Sequence, residues 1–157
     1  MAGSDAVAVD TVCALIEGWD PQSIGYLNYF ASCSVGNAET QKILTLGEQV
    51  SGIRKNFSNK LPELGGVPVK INDTISINDL DCSAVDTETD RISFTAGEEA
   101  VKAELYINGY FIDLAPVIDG KVSFDFDKTG ISGLNYTVKV IVYDRFMNSS
   151  EKSFILE

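Results

Sequence analysis

Few residues in this chain could do chemistry, and one absence limits the choice more than anything present. The 157-residue sequence contains no histidine. That removes the commonest general base, the usual activator of a nucleophile and the commonest zinc ligand. Carboxylates are plentiful, but the pairs Asp79/Asp81 and Asp125/Asp127 fall in loops or on the polar side of strand-like stretches. A solvated face accounts for them better than the acid–base pair of a glycosidase. Cys13, Cys33 and Cys82 are odd in number and lack metal-type spacing. Without an export signal they read as reduced thiols, with Cys13 and Cys33 acting as small hydrophobes among apolar neighbours. There is no Gly-x-Ser-x-Gly, no phosphate-binding glycine loop and no Cys-x-x-Cys. The sequons at Asn56, Asn72, Asn135 and Asn148 carry no meaning without secretion. The sequence therefore points away from catalysis, and it implies no cofactor and no metal.

Charge narrows the partners. The chain holds 23 acidic and 12 basic residues, a net charge of −11. Most of the excess lies beyond residue 62, with 17 acids and 8 bases there against 6 and 4 before it. Such a surface repels phosphate backbones, so nucleic acid is not an expected partner. Anionic membrane surfaces are disfavoured for the same reason. No apolar run approaches the ~20 residues of a membrane-spanning helix. The start, Met-Ala-Gly-Ser-Asp, has no basic region followed by an apolar stretch, so it does not read as a secretory signal.

Two halves must position whatever the chain presents. Residues 1–62 have helical spacing and residues 67–157 the period of strands, so the fold class is α+β by segment. Ser4 can cap a first helix with a stripe of Val9, Val12, Cys13, Ile16 and Trp19. Asp20-Pro21 reads as the cap and first position of a second helix, because proline lacks only an N–H that would be unpaired there. Ile24, Leu27, Phe30 and Ala31 would give that helix its buried side. A third helix is expected from about residue 38 to 60. Its positions Ile43, Leu46, Val50, Ile53 and Phe57 step by three and four in an a/d heptad, with Lys60 the one polar d position. They form either the core of a three-helix unit or the seam of a short coiled coil, making a dimer or trimer. Gly47 and Gly52 weaken that helix in isolation. Leu61-Pro62 through Gly65-Gly66 reads as the linker.

From Val67 the period becomes two. Val67, Val69, Ile71, Ile75 and Ile77 suggest a first, broken strand, and residues 91–95, 101–107, 110–114, 122–126, 135–143 and 153–156 suggest six more. Asn108-Gly109 and Asp119-Gly120 are two-residue hairpin turns, since both positions of each tolerate positive φ. Seven short strands with a turn signal every ten residues or so describe an antiparallel sandwich.

Four motifs within residues 101–156 are specific in combination. They are Ile107-Asn108-Gly109, Ile118-Asp119-Gly120-Lys121-Val122-Ser123-Phe124, Gly133-Leu134-Asn135-Tyr136-Thr137-Val138-Lys139-Val140 and Tyr143-Asp144-Arg145-Phe146-Met147-Asn148-Ser149-Ser150. Together they resemble the bacterial immunoglobulin-like (Big or fibronectin III-like) repeats of surface adhesins and tailed-phage virion proteins. Met147 departs from the pattern by standing where that family has glycine, and the Gly133–Tyr136 spacing is one residue longer. The resemblance implies a tyrosine corner, with Tyr136 hydrogen-bonding back across the start of the penultimate strand. Asp144 and Asn148 would cap the last hairpin. Some related modules bind Ca²⁺ through turn carboxylates, but Asp119 and Asp144 lack the multi-ligand loop a hard cation requires.

One immunoglobulin-like domain on a helical base, with no export signal, resembles the capsid decoration and head-fibre proteins of tailed phages. The implied function is non-enzymatic: a virion component made in the host cytoplasm and carried on the particle surface, anchored by its helical region to capsid or a neighbouring structural protein. Trp19, Ile24, Tyr26, Tyr29 and Phe30 would then bury against the shell, unless they form the internal core of the helical unit. An acidic outer domain would keep particles apart or adhere to a host surface. The competing expectation is an adhesion module of bacterial origin that binds host-surface glycans through Tyr106, Tyr110 and Phe111. A third is a bacterial structural protein whose signal has been removed.

Overall fold

The structure is a computed structural model that describes residues 1–55, 66–71, 75–129, 131 and 135–156. Among the described residues three helices precede seven antiparallel strands in two sheets, the α+β arrangement expected from the change of period. The chain forms two compact units, one of residues 1–73 with 145–148 and one of residues 74–144 with 149–157.

In the first unit, α1 is Ala6–Ile16, α2 is Gly25–Ser32 and α3 is a single turn, Val50–Ile53. The cap of α1 is Asp5, one residue after the expected Ser4. Its carboxylate accepts from the Ala8 N–H at 3.0 Å and from the Asn37 N–H at 2.8 Å. Those backbone donors, Ala8 first, hold the Asp5 carboxyl below its ordinary value. Asp20 does cap the next element as expected, accepting from the Gln22 N–H at 3.0 Å, but that element is the short 3₁₀ turn Pro21–Ser23. The chain turns again at Ile24 before α2 begins. Val7, Ala14, Trp19 and Leu27 form one core cluster, with Ile24 and Ala38 against it. Thr11 is buried on the same helix because its hydroxyl donates to the Val7 carbonyl at 2.8 Å.

The expected continuous helix from residue 38 to 60 does not form. A 3₁₀ turn spans Thr40–Lys42, residues 43–49 are non-helical, and only then does α3 begin. Gly47 sits at φ +103, a conformation no helix contains. The described heptad positions, Ile43 to Ile53, therefore lie across a bend and not along one helix. Phe57 and Lys60 lie outside the described residues.

The expected strand at residues 67–71 is also corrected. Trp19 and Pro68 form an isolated antiparallel bridge, with the Asp20 N–H donating to the Val67 carbonyl and the Val69 N–H to the Gly18 carbonyl at 2.7 and 2.9 Å. This stretch therefore completes the first unit. Gly66 is part of the same fit, because a Cβ there would come within 2.6 Å of the Trp19 ring.

In the second unit the strands are β1 Ile77–Ala84, β2 Thr89–Ala96, β3 Ala100–Ile107, β4 Tyr110–Pro116, β5 Lys121–Asp127, β6 Tyr136–Asp144 and β7 Ser149–Leu156. One sheet has the order β1-β2-β5 and the other β4-β3-β6-β7, an immunoglobulin-like sandwich. Alternation sets the core. Val122, Phe124 and Phe126 of β5 face inward, as do Ala103, Leu105 and Ile107 of β3 and Val138, Val140 and Val142 of β6. Asn108-Gly109 and Asp119-Gly120 all have positive φ, the turn type their sequence predicts. β1 starts later than expected and carries a bulge between Asn78 and Asp81.

Candidate partner interface

The short helix α2 exposes three of the five aromatic and apolar residues proposed to meet a partner. Tyr26, Tyr29 and Phe30 are 51%, 64% and 39% exposed. Leu27, the one fully buried residue of α2, pins the helix while Tyr26, Tyr29 and Phe30 stay open to water. The Tyr26 and Phe30 rings meet edge to face at 6.3 Å, and Tyr29 and Phe30 lie tilted at 5.8 Å, so the three form one surface. Val35, just after α2, is a further exposed apolar side chain. The other two predicted residues sit elsewhere. Trp19 is in the core, and Ile24 is half-buried against it.

This surface differs in charge from the rest of the chain. Between Pro21 and Ala38 there is no charged residue, in a sequence of net charge −11. The acids nearest it come from α1. The Tyr26 hydroxyl donates to the Asp10 carboxylate at 3.3 Å, and burial, then Asp10, raises the Tyr26 pKa above its ordinary value. An uncharged, aromatic, exposed patch is what the centre of a protein interface is made of.

A second feature of the same unit uses the residues assigned to the heptad. Ile43, Leu46, Val50 and Ile53 all line a groove of about 710 Å³ opposite Val9, Val12 and Ile16 of α1. Ile43 and Val50 are buried, whereas Leu46 and Ile53 are exposed. Sequence spacing thus picked residues that do converge, although through a bend and not through a coiled-coil stripe.

Arg54 organises this unit in a way that no sequence signal announced. Its guanidinium donates to the carbonyls of Leu15, at 3.0 Å, and Phe146, and to the Asn148 side-chain oxygen at 2.7 Å. Asn148 in turn donates to the Lys70 carbonyl at 3.0 Å. Arg145 pairs with Asp20 at 2.9 Å and also reaches Gln22. Asn148 therefore bridges distant parts of the first unit. Met147, at the position where glycine was expected, takes the left-handed conformation (φ +55) and is fully buried.

In the second unit the notable polar groups are structural in form. Lys102 and Glu104 are fully buried with Nζ and Oε1 at 3.3 Å, and the Glu104 carboxylate also accepts from the hydroxyls of Tyr143 at 2.8 Å and Tyr106 at 2.9 Å. Lys102 lies over the Tyr143 ring, 4.5 Å from its centre. Burial lowers the Lys102 pKa against the pull of Glu104. Burial together with Glu104 pushes Tyr106 up to about 12. The Tyr136 hydroxyl donates to Asp90 at 3.0 Å, where the tyrosine-corner pattern had it return to the backbone. Lys128 joins the same carboxylate at 2.7 Å. Burial and Asp90 push Tyr136 up to about 12.

Of the aromatics considered for glycans, Tyr106 and Phe111 are half-buried and packed edge to face at 5.7 Å, and Tyr110 is 76% exposed. Cys13, Cys33 and Cys82 are free thiols. Among the described residues no three His, Cys, Asp or Glu side chains converge on a metal position, and no helix is long and apolar enough to cross a membrane.

No family model and no curated protein sequence matches the chain. Among solved structures it is similar to the spore cortex lytic enzyme SleM of Clostridium perfringens, with a TM-score of 0.43 and 14% identity over 52% of this chain and 27% of that one. It is also similar to wild-type OgpA of Akkermansia muciniphila in two crystal forms. The TM-score is 0.48 in both, with 12% and 13% identity over 57% and 60% of this chain and 30% and 32% of the other. The matched region spans under a third of each of those chains.

Proposed function

We propose that the chain is a non-enzymatic structural protein of a virion surface, a capsid decoration or head-fibre protein. Its first unit anchors it, and its acidic immunoglobulin-like sandwich is displayed. The observation that carries this reading is the uncharged aromatic face of α2. Tyr26, Tyr29 and Phe30 are held in mutual contact yet left open to water, on a protein whose surface is otherwise strongly acidic. Covering such a face stabilises a complex without desolvating a charge. The buried Lys102–Glu104 pair and the Asp90 cluster have every group engaged in packing or hydrogen bonding, which suits a rigid display module.

Co-sedimentation tests the proposal. Empty capsids should retain the chain, whatever weak retention glycan-coated beads show. Retention on the beads and not on the shells would favour the adhesion reading instead.

A further inference from the structure

The bulge in β1 builds a pocket that the anchoring role does not use. Between the pairs Asn78–Thr95 and Asp81–Ser93, β1 places two residues against the single Phe94 of β2. Leu80 still packs on the core, so the extra residue, Asp79, is turned out onto the sheet's open face. It takes the left-handed conformation to do so, with φ +51. Glycine is the unstrained choice at such a position, and an aspartate kept there holds a carboxylate where the regular pleat would not put one. Thr95 Oγ1 donates to that carboxylate at 2.9 Å.

Asp79 stands at the edge of a cavity of about 540 Å³, within the range of small-ligand sites. Strand pairing lines its floor with hydroxyls, because Ser93 lies opposite Ser123 and Thr95 opposite Lys121. Pro116 and the exposed Ile118 add apolar lining. Phe94 also borders the cavity but is buried in the core, so its ring offers no open stacking face.

We infer that this pocket binds a neutral saccharide, one or two sugar rings seated on the β2–β5 face. A pyranose has hydroxyls on its rim, which the Asp79 carboxylate, the serine and threonine hydroxyls and the Lys121 ammonium can satisfy. Its C–H face suits Pro116 and Ile118. A phosphate would meet Asp79 in a domain that is already acidic, and a nucleobase would lack an aromatic face to stack on. The site is independent of the α2 surface and stands or falls separately from the anchoring role.

The test is an amide chemical-shift titration of the full chain with the methyl glycosides of glucose, galactose, mannose and N-acetylglucosamine, and with inorganic phosphate as the anionic control. At least one glycoside should give saturable shifts centred on residues 79, 93–95 and 116–123, with a dissociation constant of about a millimolar. Asp79→Asn, which tolerates the same backbone, and Thr95→Val should each weaken binding about tenfold. Ile118→Ser changes an exposed side chain away from the bulge and should weaken it several-fold with the amide spectrum otherwise intact. No saturable shift with any glycoside, shifts centred elsewhere, tighter binding of phosphate, or all three variants binding like the wild type would each overturn the inference.

Discussion

Tyr26 and Phe30 sit one helical turn apart on α2 with ring centres 6.3 Å apart, and this edge-to-face pair faces solvent. A contact of this kind adds about 0.5–1.5 kcal/mol when it is buried. Here the buried Leu27 supplies the packing that holds the helix. The two roles separate under mutation. Tyr26→Ser with Tyr29→Ser should change stability by no more than about 1 kcal/mol, since exposed substitutions stay near ±0.5 each. Leu27→Ala should lose about 2–5 kcal/mol. Urea denaturation of the two variants checks the contrast.

Gly66 and Trp19 make a second test, helped by Trp19 being the only tryptophan. A methyl at residue 66 would meet the indole at 2.6 Å. Gly66→Ala should therefore destabilise the first unit by about 1–3 kcal/mol through overpacking. Tryptophan fluorescence should report a displaced ring before global unfolding.

Met147 reverses the usual order of alanine and glycine. Its side chain is fully buried, so truncation to either residue is destabilising, by about 2–5 kcal/mol. Its φ of +55 favours glycine, by about 1–2 kcal/mol over any residue with a Cβ. Met147→Gly should consequently be the more stable of the two variants, and thermal melts of both decide it.

Glu104 is the centre of a buried group that should not tolerate partial removal. Glu104→Gln removes the buried carboxylate shared by Lys102, Tyr106 and Tyr143 and should cost about 3–5 kcal/mol. Replacing both charges, Lys102→Met with Glu104→Gln, should recover a good part of that loss in equilibrium denaturation.

Alkaline pH separates the tyrosines from the lysine. Tyr106 and Tyr136 are raised from 10.0 to about 12, so the folded chain holds their protons where the unfolded chain has released them. Their contribution is complete below pH 10 and is lost as pH rises toward 12. Lys102 is lowered from 10.5, which acts in the opposite sense: it makes stability rise with pH as pH approaches 10.5 from below. Denaturation midpoints should fall between pH 10.5 and 12, and Tyr136→Phe should flatten the fall.

Much of the sandwich was legible because its signals are local. Asn108-Gly109 and Asp119-Gly120 require positive φ, and the alternation of Val138, Val140 and Val142 names its own inward face. β1 was expected too early, up to Ile77, for a physical reason. Its inward residues Ile77, Leu80 and Cys82 are spaced by three and then two, because the bulge at Asp79 breaks the period. The apolar alternation of Val67 and Val69 was real but served a bridge to Trp19. Residues 43–53 misled in a similar way: helical spacing survived, while Gly47 bent the chain and tertiary contacts chose Ile43 and Val50 for burial. Of the candidate site, the aromatics of α2 could be read, but which of them faced water could not, since that depends on where α1 and Leu27 lie. Arg54, whose partners Phe146 and Asn148 are 92 and 94 residues away, left no trace in any local pattern.

The anchoring role of α2 is tested most directly by measuring binding of the intact chain to shells lacking it, for the wild type, for Tyr26→Ser with Tyr29→Ser, and for Tyr110→Ser on the sandwich. The account predicts saturable binding by the wild type and by Tyr110→Ser, with a loss of at least about a hundredfold in the double variant, the effect of removing two interface anchors. Equal binding by the double variant, or loss of binding in Tyr110→Ser alone, would contradict it.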